Sequence, residues 1–274
     1  MLNILMSRPY IGNDLFKLFV DNKDTMRLLI DSGAFTNWKN GKETSVDEYM
    51  EFLSDLPVKP WNYFVLDKIG DTKVTRKNHQ KMLNQGFEPI PIFTRGTDLD
   101  ELDELYEMSN LVGVGVGVGS NNYKGYLKHV VENNDDRPLH WLGVTNPQMV
   151  GMFKPFSCDS SSWESGGRYG SINIYLGRGS FKTYKRVDAI KKAPEPKVWK
   201  SIRTYGFNPK DLQFEENWHG GHSIARTLGC QSWVRYLIDV KKRFNTELFM
   251  ACTTKYGVEL CLDAYKKEME LAVI

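Results

Sequence analysis

Residues 28–33, LLIDSG, form an apolar, strand-like run that ends on Asp31 and passes straight into a turn. Two further runs have the same form: YFVLD ends on Asp67, and PFSCDS carries Asp159 near its end. Barrel enzymes place reacting groups at the carboxyl ends of buried parallel strands, because the strand is rigid and the following loop is open to substrate. We therefore predict that the three aspartates converge on one pocket.

Apolar runs of strand length recur along the chain, and segments of helical periodicity separate most of them. Eight such runs lie at residues 2–6, 27–31, 62–67, 88–93, 111–116, 139–144, 155–158 and 172–176. They are almost continuously hydrophobic, as expected of parallel strands that are covered on both faces. The pattern predicts a compact α/β fold, a (β/α)8 TIM-type barrel, with a doubly wound open sheet as the alternative.

The chain of 274 residues is long enough for one large α/β domain or for two small ones. No long linker rich in Pro, Ser or Gly divides it, so we predict a single barrel domain over residues 1–274. Residues 177–222 lose clear periodicity and are expected to form an irregular excursion. Beyond it, residues 224–244 and 258–271 are predicted to form closing helices.

The composition is that of an ordinary globular protein, with 41% hydrophobic and 26% charged residues, and indicates neither disorder nor a membrane protein. The apolar start, residues 2–6, is too short for a signal peptide or a membrane span. The cysteines form no CxxC pair, which argues against a disulfide framework and a familiar zinc knuckle. We therefore expect a cytoplasmic protein that has no membrane partner.

Basic residues are concentrated in the predicted excursion. Residues 178–203 contain nine Lys and Arg and two Asp and Glu, a surplus of seven positive charges, although the whole chain carries only +2. Such a surplus attracts a phosphate backbone, while the alternative is an ordinary solvated loop. On the first interpretation, Arg178, Lys182, Lys185 and Arg186 are candidate nucleic-acid contacts.

Two of the strand ends carry features that bear on binding. Small residues follow Asp31 and let the backbone approach a flat ligand, while Phe35 is available to stack on it. The alternative is that Asp31 only caps the next helix. After the second strand, Lys68 is placed to neutralise Asp67, and Asp71 to cap a helix.

The third aspartate, Asp159, lies in CDSSSW, where the following hydroxyls are placed to hold a carboxylate oriented and ionised. Trp163, at the end of this run, is a candidate pocket floor or a core residue. Two carboxylates that face one sugar can run a double displacement, one as nucleophile and the other as acid and base. The same pair would serve a glycosidase.

Two further patterns raise the question of a bound phosphate or metal. The run GVGVGVG at residues 113–119 matches neither the dinucleotide fingerprint nor a Walker loop, and suits a closely approached strand whose end can bind a heterocycle. His219 and His222, followed by Cys230, are candidate ligands of a structural zinc ion, because imidazole and thiolate are preferred zinc ligands. A fourth ligand is not evident.

Taken in order, five motifs resemble the tRNA-guanine transglycosylase superfamily. They are DSGAF at residues 31–35, the strand that ends on Asp67, the Gly/Val run, HWLGVTNP at residues 140–147, and Asp159. The resemblance covers roughly residues 28–175. The short chain and the CDSSSW form are most similar to the phage-type DNA 7-deazaguanine transglycosylases, which exchange guanine in DNA for a 7-deazaguanine base.

The resemblance implies a role for each matched position. Asp159 would be the nucleophile and Asp31 the general acid and base. The polar edge of the heterocycle would be bound by Asp67 and by the end of the glycine run, Gly117 to Gly119. Phe35 and Trp163 are the further candidate base contacts. Arg168, in GGRYG, falls where the family places residues beside the nucleophile, and is a candidate phosphate or sugar contact.

The sequence also departs from the family. The glutamine that reads the base carbonyl has no match in PIFTR at residues 91–95, and the zinc motif CxCxxC with a later histidine is absent. Because the family's zinc module is tied to tRNA handling, its absence favours DNA over tRNA as the polymer. The second substrate would be a free 7-deazaguanine base, and no cofactor would be required. The alternatives are a tRNA-guanine transglycosylase, a nucleosidase-type hydrolase and a non-catalytic nucleic-acid-binding relative.

Overall fold

The computed structural model describes residues 1–117, 122–165, 169–220 and 223–273. Within them, eight parallel strands build one curled sheet and two antiparallel strands build a separate hairpin. The strands are β1 (Leu2–Ser7), β2 (Met26–Asp31), β3 (Asn62–Tyr63), β4 (Ile92–Thr94), β5 (Val112–Gly115), β6 (Leu139–Leu142), β7 (Ser157–Ser160), β8 (Ser171–Gly177), β9 (Ser180–Lys185) and β10 (Glu247–Cys252).

The curled sheet has the strand order β3-β2-β1-β10-β7-β6-β5-β4. Its first and last strands meet at one isolated parallel bridge, between Phe64 and Ile90. Beside this bridge, Val65 N donates to Ile90 O at 3.0 Å, and Ile90 N donates to Tyr63 O at 2.8 Å. The sheet is therefore TIM-like, but the β3–β4 seam lacks a continuous ladder in the described part of the chain.

Helices follow most of the strands, and several begin at side-chain caps. Ser45 and Glu48 form a capping box at the start of the third helix, and Asp71 accepts a hydrogen bond from Val74 N at 3.0 Å, as its sequence position predicted. The helices are α1 (Asn13–Asp21), α2 (Ala34–Lys39), α3 (Val46–Ser54), α4 (Thr72–Asn84), α5 (Asp100–Met108), α6 (Tyr123–Glu132), α7 (Pro147–Phe153), α8 (Arg186–Ala189), α9 (Pro196–Thr204), α10 (Ile224–Phe244) and α11 (Lys255–Val273).

The eighth strand of the sheet is not the run that the sequence predicted. Residues 172–176 belong to β8, which pairs with β9 in the hairpin, and β10 instead lies between β1 and β7. In β8, Ile172 and Ile174 are buried while the intervening Asn173 is partly exposed. This alternation is typical of an antiparallel strand covered on one face. The two closing helices are confirmed as α10 and α11.

The basic excursion is more regular than its sequence suggested. It contains β9, α8, α9 and two short 3-10 turns, and it packs on the first half of α10 through a second hydrophobic core. This core contains Ile172, Ile174, Ala189, Val198, Ile202, Tyr205, Leu212, Trp218, Ala225 and Leu228. The apolar residues are spread over several short elements, so no single segment shows a strong period.

Most strands of the curled sheet are buried on both faces, as their apolar sequences predicted, whereas β3 and β4 at its two edges are only partly buried. In β2, Ile30 packs in the core between sheet and helices, whereas Leu29 packs inside the curl with Leu5, Phe64 and Phe249. Side chains alternate between the two faces of a strand, so each strand contributes to both cores. No helix in the described ranges is both long enough and apolar enough to cross a bilayer.

Candidate functional site

Strand periodicity directs two of the aspartates into the curl of the sheet. Leu29 of β2 packs inside the curl, and Asp31, two residues on, therefore lies on the same face. In β7, Cys158 packs in the outer core, which places Asp159 on the inner face. Both carboxylates lie near the carboxyl ends of their strands, where a TIM-type fold carries its reacting groups.

A cavity of about 1070 Å³ opens at this end of the sheet. Asp31, Asp67 and Asp159 all line it, so the predicted convergence of the three aspartates on one pocket is confirmed. Phe35 and Gly117 line it as well. The volume is slightly above the range typical of ligand pockets, about 300–1,000 Å³, so the cavity has room for a nucleoside-sized ligand.

The Asp31 carboxyl is held in a setting that favours its protonated form. Burial raises the pKa of Asp31, and the negative charge of Asp159 raises it further, against the hydrogen bonds from Ser7 and from the backbone of Gly33 and Ser32. The Ser7 hydroxyl donates to Asp31 Oδ2 at 2.6 Å. Sheet register creates this contact, because Ser7 on β1 is the register partner of Asp31 on β2.

Asp31 does not cap the helix that follows it, so this alternative for its role is wrong. Gly33 occupies the N-cap position of α2, in the left-handed region with φ +79°. A Cβ on Gly33 would lie 2.3 Å from Pro9 Cδ, so only glycine fits this turn. The turn leaves Asp31 on the cavity wall and brings Phe35, 43% exposed, to the same wall.

Asp67 has a distinct environment in the same cavity. Burial raises the pKa of Asp67 to about 6, and the negative charge of Asp31 contributes in the same direction. The Ser32 hydroxyl donates to Asp67 Oδ1 at 3.2 Å and favours the ionised form. Lys68, which the sequence placed as a neutralising partner, instead forms an ion pair with Glu43.

Asp159 is held by two groups of the HWLGVTNP motif, to which the sequence assigned no individual role. Gly143 N donates to Asp159 Oδ1 at 2.9 Å, and the imidazole Nε2 of His140 lies 3.1 Å from the same oxygen. The Ser157 hydroxyl lies 2.8 Å from His140 Nδ1. A carboxylate oxygen accepts, so Nε2 is the donor when the Asp159 carboxyl serves as a nucleophile.

This arrangement leaves one carboxylate oxygen uncommitted. Among the described residues, no hydrogen bond is made to Asp159 Oδ2. The hydroxyls that were predicted to orient the carboxylate do not do so, since Ser160 donates to Ser162 at 2.8 Å. His140 lies in β6 between Leu139 and Trp141, which both pack in the outer core. Side chains alternate along a strand, so this pattern turns His140 toward the inside of the curl.

The glycine run contributes close packing at one end and cavity wall at the other. A Cβ on Gly113 would lie 2.9 Å from Phe64 Cε1, so the predicted close approach to this strand is confirmed. Gly117 lines the cavity with φ +77°, while Gly119 lies outside the described residues. Where the family glutamine has no match, Thr94 lines the cavity.

Of the two remaining candidate contacts near Asp159, the structure describes only Trp163. Trp163 is 2% exposed, and its indole N–H donates to Ala251 O at 2.9 Å, which places it in the core. Trp163 is not among the residues that line the aspartate cavity. Arg168 lies outside the part of the chain that the structure describes.

The basic candidates are brought together by the β8–β9 hairpin. Arg178 is exposed in its turn, Lys182 lies on β9, and Lys185 and Arg186 lie where β9 passes into α8. Part of this charge is paired locally, since Lys182 Nζ lies 3.0 Å from the carboxylate of Glu195. The hairpin therefore presents a basic edge of lower net charge than its sequence alone suggests.

The candidate zinc ligands lie in unlike surroundings. His219 is exposed, with Nε2 3.1 Å from Arg186 and 3.6 Å from the carboxylate of Glu215. Cys230 is fully buried, and its Sγ lies 3.6 Å from that of Cys261. His222 lies outside the described residues. Within the described ranges, no group of three or more His, Cys, Asp or Glu side chains is arranged to hold a metal ion.

Comparison of the chain with protein-family models and with curated proteins gives no match. The order of the transglycosylase-like motifs therefore stays a resemblance, and the cavity with its carboxylates is the structural basis for a proposed function.

Proposed function

We propose that this protein is a transglycosylase that exchanges guanine in DNA for a 7-deazaguanine base. One observation carries the proposal: two carboxylates in different environments, Asp31 and Asp159, line one cavity at the strand ends. Exchange of a base needs a nucleophile for the sugar and a proton for the departing base. A pair of carboxyl groups with unlike surroundings can divide these roles.

The surroundings of the two residues support a specific division of roles. The raised pKa of Asp31, caused by burial and by the charge of Asp159, favours the protonated form that a general acid needs. Asp159 has one oxygen bonded to His140 and Gly143, and the other has no partner among the described residues. That free oxygen is the proposed nucleophile.

In the first step, Asp159 attacks the anomeric carbon, and the bond from that carbon to guanine N9 breaks as the new carbon–oxygen bond forms. The electron pair of the broken bond stays on the guanine, which takes the proton from Asp31. In the second step, the incoming deazaguanine gives its N9 proton to Asp31 and displaces Asp159. Two inversions retain the configuration at the sugar. The scheme requires no redox or organic cofactor.

Asp67, close to Asp31 in the same cavity, supports recognition of the base. Burial raises the pKa of Asp67 to about 6, so Asp67 is mostly ionised at neutral pH. An ionised carboxylate complements the N1–H and amino donors of guanine, both of which point the same way. Phe35, exposed on the cavity wall, is placed to stack on the ring.

The polymer is proposed from the fold and the charge distribution. The curled sheet with its Phe64–Ile90 bridge supports a (β/α)8 barrel, whose open end carries the site. The target nucleotide must leave the stack, because the anomeric carbon is shielded in a duplex. The basic β8–β9 hairpin is proposed to hold the backbone, in the cytoplasm of a cell or of a phage host.

The test is to supply the protein with radiolabelled guanine and either DNA or tRNA, and to measure which polymer becomes labelled. Label in DNA supports the proposal, and label confined to tRNA identifies a tRNA-guanine transglycosylase. Release of free base without an incoming heterocycle identifies a hydrolase, and binding of DNA without either reaction identifies a non-catalytic relative. Nucleoside mass spectrometry with a panel of deazaguanine bases then identifies the base that is inserted.

A further inference from the structure

A second cavity, of about 650 Å³, adjoins the one that holds the aspartates. The two cavities share a wall at the ends of β5, β6 and β7, formed by Val116, Gly117, Gly143, Ser160 and Ser162. Gly143 is the residue whose N–H bonds to Asp159. The junction between the cavities therefore lies beside the proposed nucleophile, and a ligand at Asp159 can extend from one cavity into the other.

The far wall of the second cavity is aromatic. Tyr123, Phe181 and Trp233 line it, and the rings of Phe181 and Trp233 lie 5.0 Å apart at an angle of 34°. Asn146 and Asn173 add amide groups to the same lining. Aromatic side chains of this kind stack on nucleobases without regard to their identity, while amides bind the edges of bases.

Trp233 lies where this wall meets the hydrophobic core. It is only 6% exposed, and its indole Nε1 is buried with no hydrogen bond to any described residue. The part of the indole that lines the cavity therefore offers an apolar surface to a base, whereas the N–H is not open to a ligand.

The basic hairpin borders this cavity. Phe181 of the wall lies on β9, one residue before Lys182 and three after Arg178. At the hairpin turn, a Cβ on Gly179 would lie 3.6 Å from Pro147 Cβ, so the turn is packed on the rim formed by Pro147. Positive charge that attracts phosphate therefore lies next to a cavity suited to a base.

We propose that the second cavity binds the nucleobase adjacent to the target guanine, so that two neighbouring nucleotides leave the stack, one on each side of Asp159. This inference rests on the proposed function, because it assigns the second cavity to the same DNA strand. It also predicts a preference for single-stranded or locally opened DNA, since extruding two bases from a duplex is costlier than extruding one.

The experiment measures binding by fluorescence anisotropy, with a dye-labelled single-stranded oligonucleotide that contains one guanine. The base on the 5′ side of the guanine, the base on its 3′ side, and a distant base are replaced in turn by an abasic spacer. The expected result is a loss of about tenfold in affinity for a spacer on one side of the guanine, as for loss of a stacked base, and little change at the distant position. Equal binding of all the oligonucleotides would overturn the proposal.

A matched pair of variants locates the effect in the second cavity. Trp233→Phe shortens an aromatic side chain of the second cavity's wall, whereas Trp141→Phe makes the same change, including the loss of a buried, unpartnered indole N–H, at a residue that lines neither cavity. Of these two variants, only Trp233→Phe should reduce the difference in affinity between the intact oligonucleotide and the one with an abasic spacer beside the guanine. Tyr123→Leu, at the first residue of α6, should do the same and serves if Trp233→Phe fails to fold. Full retention of the difference in a folded cavity variant would contradict the assignment.

Incorporation of labelled guanine into the same intact oligonucleotide separates this inference from the proposed function. If the affinity depends on the neighbouring base and on Trp233 but no labelled guanine is incorporated, the proposed transglycosylase activity is wrong and the second cavity is still a base-binding site. If labelled guanine is incorporated but the affinity does not depend on the neighbouring base, the transglycosylase activity is supported and the second base-binding site is wrong.

Discussion

His140 and Asp159 form a buried hydrogen-bonded pair, with imidazole Nε2 3.1 Å from carboxylate Oδ1. The other ring nitrogen, Nδ1, contacts the Ser157 hydroxyl at 2.8 Å. This second contact fixes the imidazole, which therefore holds the carboxylate in one orientation. In the proposed reaction, His140 is a positioning residue, because it acts on the substrate only through Asp159.

Replacing His140 by Phe should lower the rate of base exchange by about 10- to 100-fold, since a hydrogen bond to a charged group is worth about 1.5–3 kcal/mol. The loss should fall on kcat rather than on KM, because the pair does not hold the base. Steady-state kinetics with labelled guanine measures the split. Ser157→Ala, which keeps the contact between His140 and Asp159, should lose less, and an equal loss would contradict the positioning role.

Replacing Asp159 by Asn should abolish base exchange and leave DNA affinity within a few-fold of wild type, because the amide keeps the shape but is a poor nucleophile. Label incorporation and anisotropy with unmodified DNA measure the two properties separately. Substantial remaining exchange would remove Asp159 from the role of nucleophile.

The pH dependence of stability should report on Asp67. Its pKa is raised from 3.8 to about 6 by burial and by the Asp31 charge, so the folded state binds this proton more tightly than the unfolded state. The stabilisation is fully present below the unfolded value and is lost as pH rises through about 6. Asp67→Asn should remove this part of the pH dependence, about 2–3 kcal/mol in the free energy of unfolding between pH 4 and pH 7.

Urea unfolding at several pH values measures this effect, with Asp98→Asn as the control at an exposed aspartate. Relative to wild type, Asp67→Asn should be the more stable protein at pH 7 and should lose that advantage near pH 4. An unchanged slope of stability against pH in Asp67→Asn would contradict the assignment of this titration to Asp67.

Replacing Lys182, Lys185 and Arg186 together by Ala should weaken DNA binding and flatten its dependence on salt. Each phosphate contact contributes about 0.7–0.9 to the slope of log K against log salt, so a fall of about 1–3 is expected. The lower part of that range allows for the existing pairing of Lys182 with Glu195. Titrations at several salt concentrations measure the slope. Removal of three other exposed lysines, Lys17, Lys23 and Lys59, is the matched control and should change it less.

Gly33→Ala should destabilise the protein by about 2 kcal/mol or more, because the backbone is left-handed there and the new Cβ meets the ring of Pro9. The control is Gly41→Ala, where φ is +64° but no atom lies within 4 Å of the added Cβ. Urea unfolding should show a clearly larger loss for Gly33→Ala than for Gly41→Ala. Equal losses would show that backbone strain alone, and not the contact with Pro9, decides this position.

Much of the fold follows from local patterns. The apolar run that ends on Asp31 predicted β2, and the segment from Ile224 predicted α10. Of the strand predicted at residues 62–67, only Asn62–Tyr63 is a strand in the structure. The eighth strand was missed because ELFMAC follows that helix directly, and the run at residues 172–176 offered a second apolar segment of similar length. Apolarity marks both as buried strands, but it does not say which sheet each one joins.

The candidate site, like the fold, was predictable from the sequence only in part. The sequence by itself placed Asp31 and Asp159 at or near the ends of strands, because an apolar run and the chain direction are local properties. Asp67 was placed there wrongly, since β3 ends at Tyr63. Only the tertiary structure decided which groups surround them. Ser7 meets Asp31 across β1 and β2, and His140 reaches Asp159 from β6. Those contacts depend on strand order and register, which are set by packing between segments far apart in the chain and leave no mark in any one segment.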